Sequence, residues 1–563
     1  MKYFKLFICT LLLATSCKDN KNNQPTVQES TTEEFIQDSI LAIDTSDVDT
    51  ISTKTFFDFK VLDSKYIDAS VLWEPFNEGL KDFTESIYNS LKPFILEQDI
   101  PSIQKNIADG KLSYEQLTKF YLYRIRKFDR DNDLSLNSVI ALNPNVIAEA
   151  KQRDKEFLNR MMKPKLFGMP ILLKDNINTS GMPTTAGAVV LENNMADDAF
   201  IVQRLKENKA LILGKANLSE WAYFFCGSDN CPSGYSAIGG QTLNPYGRKI
   251  IDTGGSSSGS GVAVAVNFCV AAVGSETSGS ILSPSSKNSV VGLKPTIGLL
   301  SRSGIVPISS TLDTPGPMTK NVIDNAYLLD AMFGVDKNDS KTIDALLDQG
   351  FYTEQLKDNG VTGKRFGAIK HLMEDSLYVN AIAVLKDLGA EVIEIEEEEI
   401  DLPDFIRLLN LDMKKDLPVY LSKSASDSVQ VRTVNDIIKF NQEDSINRMP
   451  YGQALFEGIV EDSASNEAFE KIKSTLKNNG QQFFNKPMNE HNLNGILSIN
   501  NYHAGFAAVA EYPAITIPMG YNSDGEPEGL TIIAGKLQEK FLLQWAYDYE
   551  QSSKMRRIPQ DYN

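Results

Sequence analysis

Three short stretches of this 563-residue chain carry groups that could activate a hydroxyl without histidine. Residues 254–261 read GGSSSGSG, residues 274–280 read GSETSGS, and the run between them, VAVAVNFCVAAV, is apolar apart from Asn267. GGSSSGSG alone has the composition of a flexible linker. The apolar run argues otherwise, because it demands burial and ties both serine clusters to the ends of one buried element. Glycines in such places permit positive φ and close backbone approach, which build tight loops at the mouth of a site. Upstream, Gly168-Met-Pro-Ile-Leu-Leu-Lys174 closes an apolar run on a lysine that Asp175 could hold in place. At an exposed strand end that lysine would snorkel to solvent. Buried, it would favour the neutral amine and could accept a proton at neutral pH. A serine hydroxyl is a weak nucleophile that needs such a base. The three histidines, His371, His491 and His503, sit in neither HExxH nor nucleophile-elbow spacing and read as ordinary surface or core residues. Lysine is the base left available.

Six segments extend this pattern. GMPILLKDNI (168–177), TTAGA (184–188), GGQTLNPY (239–246), GGSSSGSG, ETSGSI (276–281) and VVGLKPTIG (290–298) follow one another in the order of the amidase signature family. The 24-residue spacing from Ser256 to Ser280 agrees as well. The chain resembles that family, most of all its peptide-amidase-like branch, from about Leu112 to Glu550. The resemblance implies a triad in which Lys174 takes a proton from Ser256, and Ser256 from the nucleophile Ser280. It implies a cis peptide bond at Ser256 and an oxyanion hole from the N–H groups of Thr277, Ser278 and Gly279. It further implies hydrolysis of the C–N bond of small or peptide-like carboxamides through an acyl-enzyme, with no cofactor and no metal. A C-terminal carboxamide rests on the branch alone. Glu276, Ser278 and Leu282 depart from the family's usual DxGGSxR, and the missing arginine argues against an amidotransferase subunit. Ile238 stands where a polar or basic residue is usual.

The elements that must position these groups alternate. PILLK reads as a strand, AFIVQRLKEN as a helix and ALILGKA as a strand. RFGAIK, a helix through NAIAVLKDLG, and EVIEIEE repeat the theme, which is the signature of α/β architecture. Ser113 to Gln116 reads as a capping box opening the next helix. With the resemblance, the expected fold is one large α/β domain whose mixed, mostly parallel twisted sheet is surrounded by helices. It spans residues 103–555, preceded by a helical extension at 56–102. Residues 400–490 read as helical and polar and match the family least.

Lys2 and Lys5 precede the apolar stretch Leu6 to Ala14, which is too short to span a bilayer. Ala14-Thr-Ser-Cys17 resembles a bacterial lipoprotein cleavage box, with alanine where leucine is usual. Residues 1–16 are accordingly expected to be a lipoprotein signal peptide, Cys17 the lipidated residue and 17–55 a disordered tether. A plain secretory signal with an incidental cysteine is the alternative. The expected location is the bacterial cell envelope, periplasmic or surface-facing. Cys226 and Cys231 could form a disulfide in an oxidising envelope, and Cys269 reads as a core residue. The run Glu396 to Glu399 reads as a solvated strand end rather than a metal site. A net charge of −18 without a basic stripe excludes nucleic acid as a partner. The partners allowed are a small-molecule or peptide amide substrate, a membrane reached only through the N-terminal lipid anchor, and a second copy in a homodimer. Two rivals stand beside the amidase. A penicillin-binding or β-lactamase-like enzyme would use Ser474-x-x-Lys477 and Ser228-Asp-Asn230, but their order is reversed and Lys-Thr-Gly is absent. A non-catalytic substrate-binding envelope lipoprotein derived from an amidase would keep the same residues without turnover.

Overall fold

The structure is a computed structural model that describes residues 57–158, 163–227, 231–342, 350–356 and 359–563. The signal segment 1–16, Cys17, the tether 17–55 and Ser228-Asp-Asn230 lie outside the described residues. Thirteen strands are found among those described: β1 (Val139–Leu142), β2 (Pro170–Lys174), β3 (Leu211–Ala216), β4 (Tyr235–Ser236), β5 (Gly240–Gln241), β6 (Ala271–Glu276), β7 (Val291–Lys294), β8 (Thr314–Thr319), β9 (Arg365–Ile369), β10 (Glu391–Ile395), β11 (Gly495–Ile499), β12 (Ala514–Tyr521) and β13 (Pro527–Ile533). Eleven of them form one sheet in the order β1-β3-β2-β6-β8-β7-β12-β13-β11-β9-β10, and β4 and β5 pair separately. Helices surround the sheet, as expected.

One part of the expectation needs correction. The sheet is mixed, but only β3–β2, β2–β6, β11–β9 and β9–β10 are parallel, and the other neighbours are antiparallel. The strand-helix alternation legible around β2–β3 and β9–β10 does not extend through the centre. There β12 and β13 form a hairpin, and β7 reaches β8 through the turn-rich stretch 295–313 rather than a crossover helix. Strand β8, Thr-Pro-Gly-Pro-Met-Thr, carries two prolines that normally argue against a central strand. Its neighbour β7 pairs only with Thr319 and Met318, so Pro315 and Pro317 lie beyond that ladder.

The helix Tyr114–Phe128 opens on the Ser113–Gln116 capping box, with both reciprocal hydrogen bonds formed. The helix Ile100–Ala108 runs through the boundary placed at residue 103, so extension and domain share an element. Nor does the fold stop at residue 555. Arg124, buried, donates to Val266 O at 2.7 Å, to the Tyr88 hydroxyl and to the carbonyl of Tyr562, whose ring is itself buried. Cys226 and Cys231 are joined in a disulfide. Cys269 is free and buried, and burial pushes its thiol up to about 12.

Successive side chains of a strand face opposite sides of its sheet. Asp175, directly after Lys174, accordingly does not hold that lysine. It pairs with Lys215 at 2.9 Å, both side chains fully buried, and accepts from Thr185 N at 3.1 Å and from the Thr185 hydroxyl. Removing one member of a buried pair strands the other charge, so Asp175→Ala should lower unfolding stability by about 3–5 kcal/mol. Urea unfolding checks this, and a midpoint equal to that of the parent protein would contradict it.

Candidate active site

The two serine clusters, tied to the ends of one buried run, could converge only if that run turns back. A single twelve-residue element would hold them roughly 18 Å apart as a helix and about 40 Å apart as a strand. The run instead folds back on itself. Residues Ser258–Ala265 are a helix, a turn follows, and β6 returns from Ala271 to Glu276, every residue of both elements buried. The start of the helix and the end of the strand therefore meet, and Ser257 N donates to Ser280 O at 3.1 Å. Lys174 ends β2, which runs parallel to β6 in register Leu173↔Val273, so it arrives at the same sheet edge. Carboxyl ends of parallel strands are the usual place for a site in such sheets. Antiparallel β8, with Thr314 opposite Glu276, brings Asp313 to that edge as well.

Lys174 is fully buried. Its Nζ reaches Ser256 Oγ at 2.8 Å, Ser275 O at 2.9 Å and Ser275 Oγ at 3.0 Å. Asn176 Nδ2 donates to the same Ser275 hydroxyl at 2.8 Å, which fixes the lysine's neighbour in place. Burial lowers the amine to about 7, against the opposing pull of the Asp313 and Glu276 charges. Geometry also separates Ser256 from its look-alikes. Ser257 Oγ bridges to Ser275 O at 3.1 Å and accepts from Ser275 N at 3.2 Å, while Ser258 Oγ donates to Gly254 O at 2.7 Å. Of the three, Ser256 alone meets the amine. The Gly255–Ser256 peptide bond is cis, and Ser219 N donates to Ser256 O at 3.0 Å. Ser280 sits on the adjoining turn, nearly buried at 9% exposure. No hydrogen bond joins its hydroxyl to that of Ser256.

The expected oxyanion hole is only partly available. Gly279 N–H is committed to Glu276 Oε1 at 2.8 Å, so it is not a free donor. Glu276 also accepts from Ile281 N at 2.7 Å and Leu282 N at 3.0 Å. Thr277 and Ser278 N–H have no acceptor among the described residues, and neither does Ser280 N–H, which sequence reasoning had not included. One buried carboxylate thus wraps the turn from inside and leaves its outward N–H groups unengaged. Thr277 Oγ1 donates to Asp313 Oδ1 at 2.6 Å, and Asp313 accepts from Ile308 N and Ser309 N at 2.9 Å each. Burial pushes the Asp313 carboxyl up to about 6. Asp313 was missed from the sequence because it lies in the turn-rich stretch, where no periodicity marks it. Glu276→Ala would orphan three buried N–H groups, each costing about 1–3 kcal/mol. The turn should loosen, lowering both thermal stability and kcat, with Glu276→Gln intermediate because one amide oxygen remains to accept. Stability and kcat both unchanged in Glu276→Ala would refute this.

The remaining sequence candidates fall elsewhere. Leu282 is buried, and Ile238 sits in an apolar cluster with Ile140, Val189 and Leu218. His503 Nδ1 lies 2.6 Å from Ser498 Oγ and its Nε2 3.3 Å from Glu397 Oε1, a Ser-His-Glu row. Ser498 is fully buried in β11, so this row has no substrate to attack. The Glu396–Glu399 run is not simply solvated: Glu396 pairs with Lys370, Glu397 also meets His371 at 3.1 Å, and Glu398 meets Lys486 at 2.7 Å. Ser474 donates to Lys471 O at 2.9 Å and Lys477 pairs with Glu511 at 3.0 Å, so the Ser-x-x-Lys residues do not serve each other.

Comparison with known proteins bears on this arrangement. A family model described as Amidase matches residues 116–449. An Arabidopsis thaliana protein named a probable amidase is 36% identical over 481 residues, covering 83% of this chain and 92% of the relative. The crystal structure of an amidase family protein from Bacillus anthracis superposes with a TM-score of 0.84 at 38% identity, covering 89% of this chain and all of that one. The native peptide amidase of Stenotrophomonas maltophilia superposes with a TM-score of 0.78 at 36% identity, covering 83% of this chain and 99% of that one.

Proposed function

Since the chain belongs to the amidase signature family, hydrolases acting on carbon–nitrogen bonds, we propose that it hydrolyses carboxamides through Ser280, Ser256 and Lys174. Ser280 Oγ attacks the amide carbonyl carbon and gives its proton to Ser256 Oγ, whose own proton passes to the neutral Lys174 amine. The N–H groups of Thr277, Ser278 and Ser280 receive the negative charge that develops on the carbonyl oxygen. One such donor is worth about 3 kcal/mol in the transition state. The C–N bond then breaks, the relay returns a proton to the leaving nitrogen, and water cleaves the acyl-Ser280 ester by the same route.

The observation that carries this reading is the 2.8 Å contact between a fully buried lysine amine and Ser256 Oγ. The Ser280 hydroxyl is a free rotor that turns toward Ser256 when a carbonyl is bound, since catalytic hydrogen bonds often tighten only in the substrate complex. The proposed substrates are non-peptide amides of small or peptide-like carboxylic acids. Likeness to a protein named peptide amidase supports the C-terminal carboxamide of a peptide among them.

The test is release of ammonia or amine from a panel of peptide amides and aryl amides by wild type, Lys174→Ala and Ser280→Ala. Turnover by wild type alone supports the reading. Equal rates in all three would refute the triad. An inert wild type would favour the binding-protein alternative.

A further inference from the structure

The chain carries a formal net charge of −18, yet one cavity of about 440 Å³ is walled by four cations and only two carboxylates. The cations are Arg302, Lys341, Lys473 and Lys477, and the carboxylates are Glu470 and Glu511. Arg302 is matched by Asp339, with Nε to Oδ2 at 2.9 Å, and Lys473 by Glu470 at 3.3 Å. That leaves Glu511, nearly buried, to face three ammonium groups at once: Lys341 at 3.2 Å, Lys477 at 3.0 Å and Lys536 at 2.9 Å. Burial works against its charge, but the hydrogen bonds and charges of those lysines hold its carboxyl down at about 2. One carboxylate cannot neutralise three ammonium groups. Lys536 stands outside the cavity lining, so the concave wall itself, with Lys341 and Lys477 against Glu511, keeps one unmatched positive charge where low-dielectric surroundings focus its field.

Besides Arg302, Leu408, Val509 and Glu511, three stretches of the chain build the wall. Glu470, Lys473, Ser474 and Lys477 share one face of the helix Asn466–His491, at spacings of three, four and seven. The Ser-x-x-Lys of this helix thereby has a place in the molecule unrelated to a nucleophile. Ser340 and Lys341 come from a second segment, and Ser310 to Leu312 from a third, which add hydroxyl groups. The residue after Leu312 is Asp313, which holds Thr277 on the nucleophile turn at 2.6 Å.

We propose that this cavity binds a small multivalent anion carrying phosphate or carboxylate groups, held by Lys341 and Lys477 with hydroxyl support from Ser340. Charge-assisted N–H···O⁻ bonds are about twice as strong as neutral ones, and these ammonium groups have donors to spare beyond Glu511. The site is independent of the amide-hydrolysis reading and is assayed without turnover.

Isothermal titration of the full chain with pyrophosphate, and separately with citrate, tests it. Saturable binding at millimolar Kd or tighter is expected, weakening as sodium chloride is raised. In Lys341→Gln/Lys477→Gln, Kd should rise about tenfold or more, as the loss of two charged contacts requires. Binding of pyrophosphate alone upholds the site as one for phosphate groups, and of citrate alone as one for polycarboxylates. Absence of saturable heat from both, or an unchanged Kd in the double variant, overturns the proposal. If the double variant loses its thermal transition, Lys477→Gln is read by the same criterion, its side chain being 43% exposed.

Discussion

Ser280→Ala should lower kcat for amide hydrolysis by a factor on the order of 10⁶ while leaving KM and the unfolding midpoint close to those of the parent protein. The expected size follows from losing the nucleophile of a group of residues that act together, where one deletion costs nearly as much as deleting all of them. The stability expectation is specific to this site. The Ser280 hydroxyl makes no hydrogen bond among the described residues, so its removal strands no partner, and only one oxygen atom is lost from a nearly buried position. The neighbouring serines provide the contrast. Ser278→Ala should change kcat by a few-fold at most, because its hydroxyl has no contact with the amine. Ser257→Ala should reverse the pattern, since Ser257 Oγ bonds both Ser275 O and Ser275 N across to β6. Its loss should cost about 1–3 kcal/mol of stability. Ammonia release and thermal unfolding, measured on the same three preparations, separate these outcomes. A Ser280→Ala protein with activity within tenfold of wild type would remove this residue from the chemistry.

What the sequence disclosed and what it hid divide along physical lines. Short apolar runs set between helical patterns marked the buried strands β2, β3 and β9, and alternation marked the partly exposed β10. Neither signal marked β8, whose prolines suit only a strand with an interrupted ladder, or β11, whose five buried residues lie beyond the variable helical region. Nor could a uniformly apolar run reveal that it folds back between Ala265 and Ala271, since burial on all sides erases any period. That turn is what brings Ser256 and Ser280 together. Lys174, Ser256 and Ser280 were legible as residue types in ordered motifs; only register against the family selected Ser256 over Ser257 and Ser258, and the contact with the Lys174 amine supplies the physical reason. Asp175 illustrates the opposite error. Adjacent in sequence, it faces the other side of the sheet, and its partner Lys215 lies on the next strand. Glu276 was read only as a departure from the family pattern, whereas its two oxygens hold three N–H groups of the nucleophile turn. A carboxylate that acts on backbone leaves no pairing pattern among side chains to read.

Lys174→Ala should cost about 10³–10⁴ in kcat, the usual worth of a well-placed general base with some loss of nucleophile orientation. Its pH behaviour is the more discriminating result. The form that accepts a proton is the neutral amine, and burial brings that amine from its ordinary 10.5 down to about 7. Activity should accordingly rise as pH increases through about 7 and fall away below it, as Lys174 becomes protonated. In Lys174→Ala this acid limb should vanish along with most of the rate. Lys174→Arg should not restore activity, because a guanidinium stays charged at every accessible pH. Asp313 supplies the directional check. Its negative charge favours the protonated amine, so Asp313→Asn should move the limb to lower pH, while loss of its grip on Thr277 lowers kcat at the plateau. A structural role for Asp313 alone would lower the plateau without moving the limb. A limb that moved to higher pH would mean that the titrating group is not this lysine, because removing a nearby negative charge can only ease the loss of its proton.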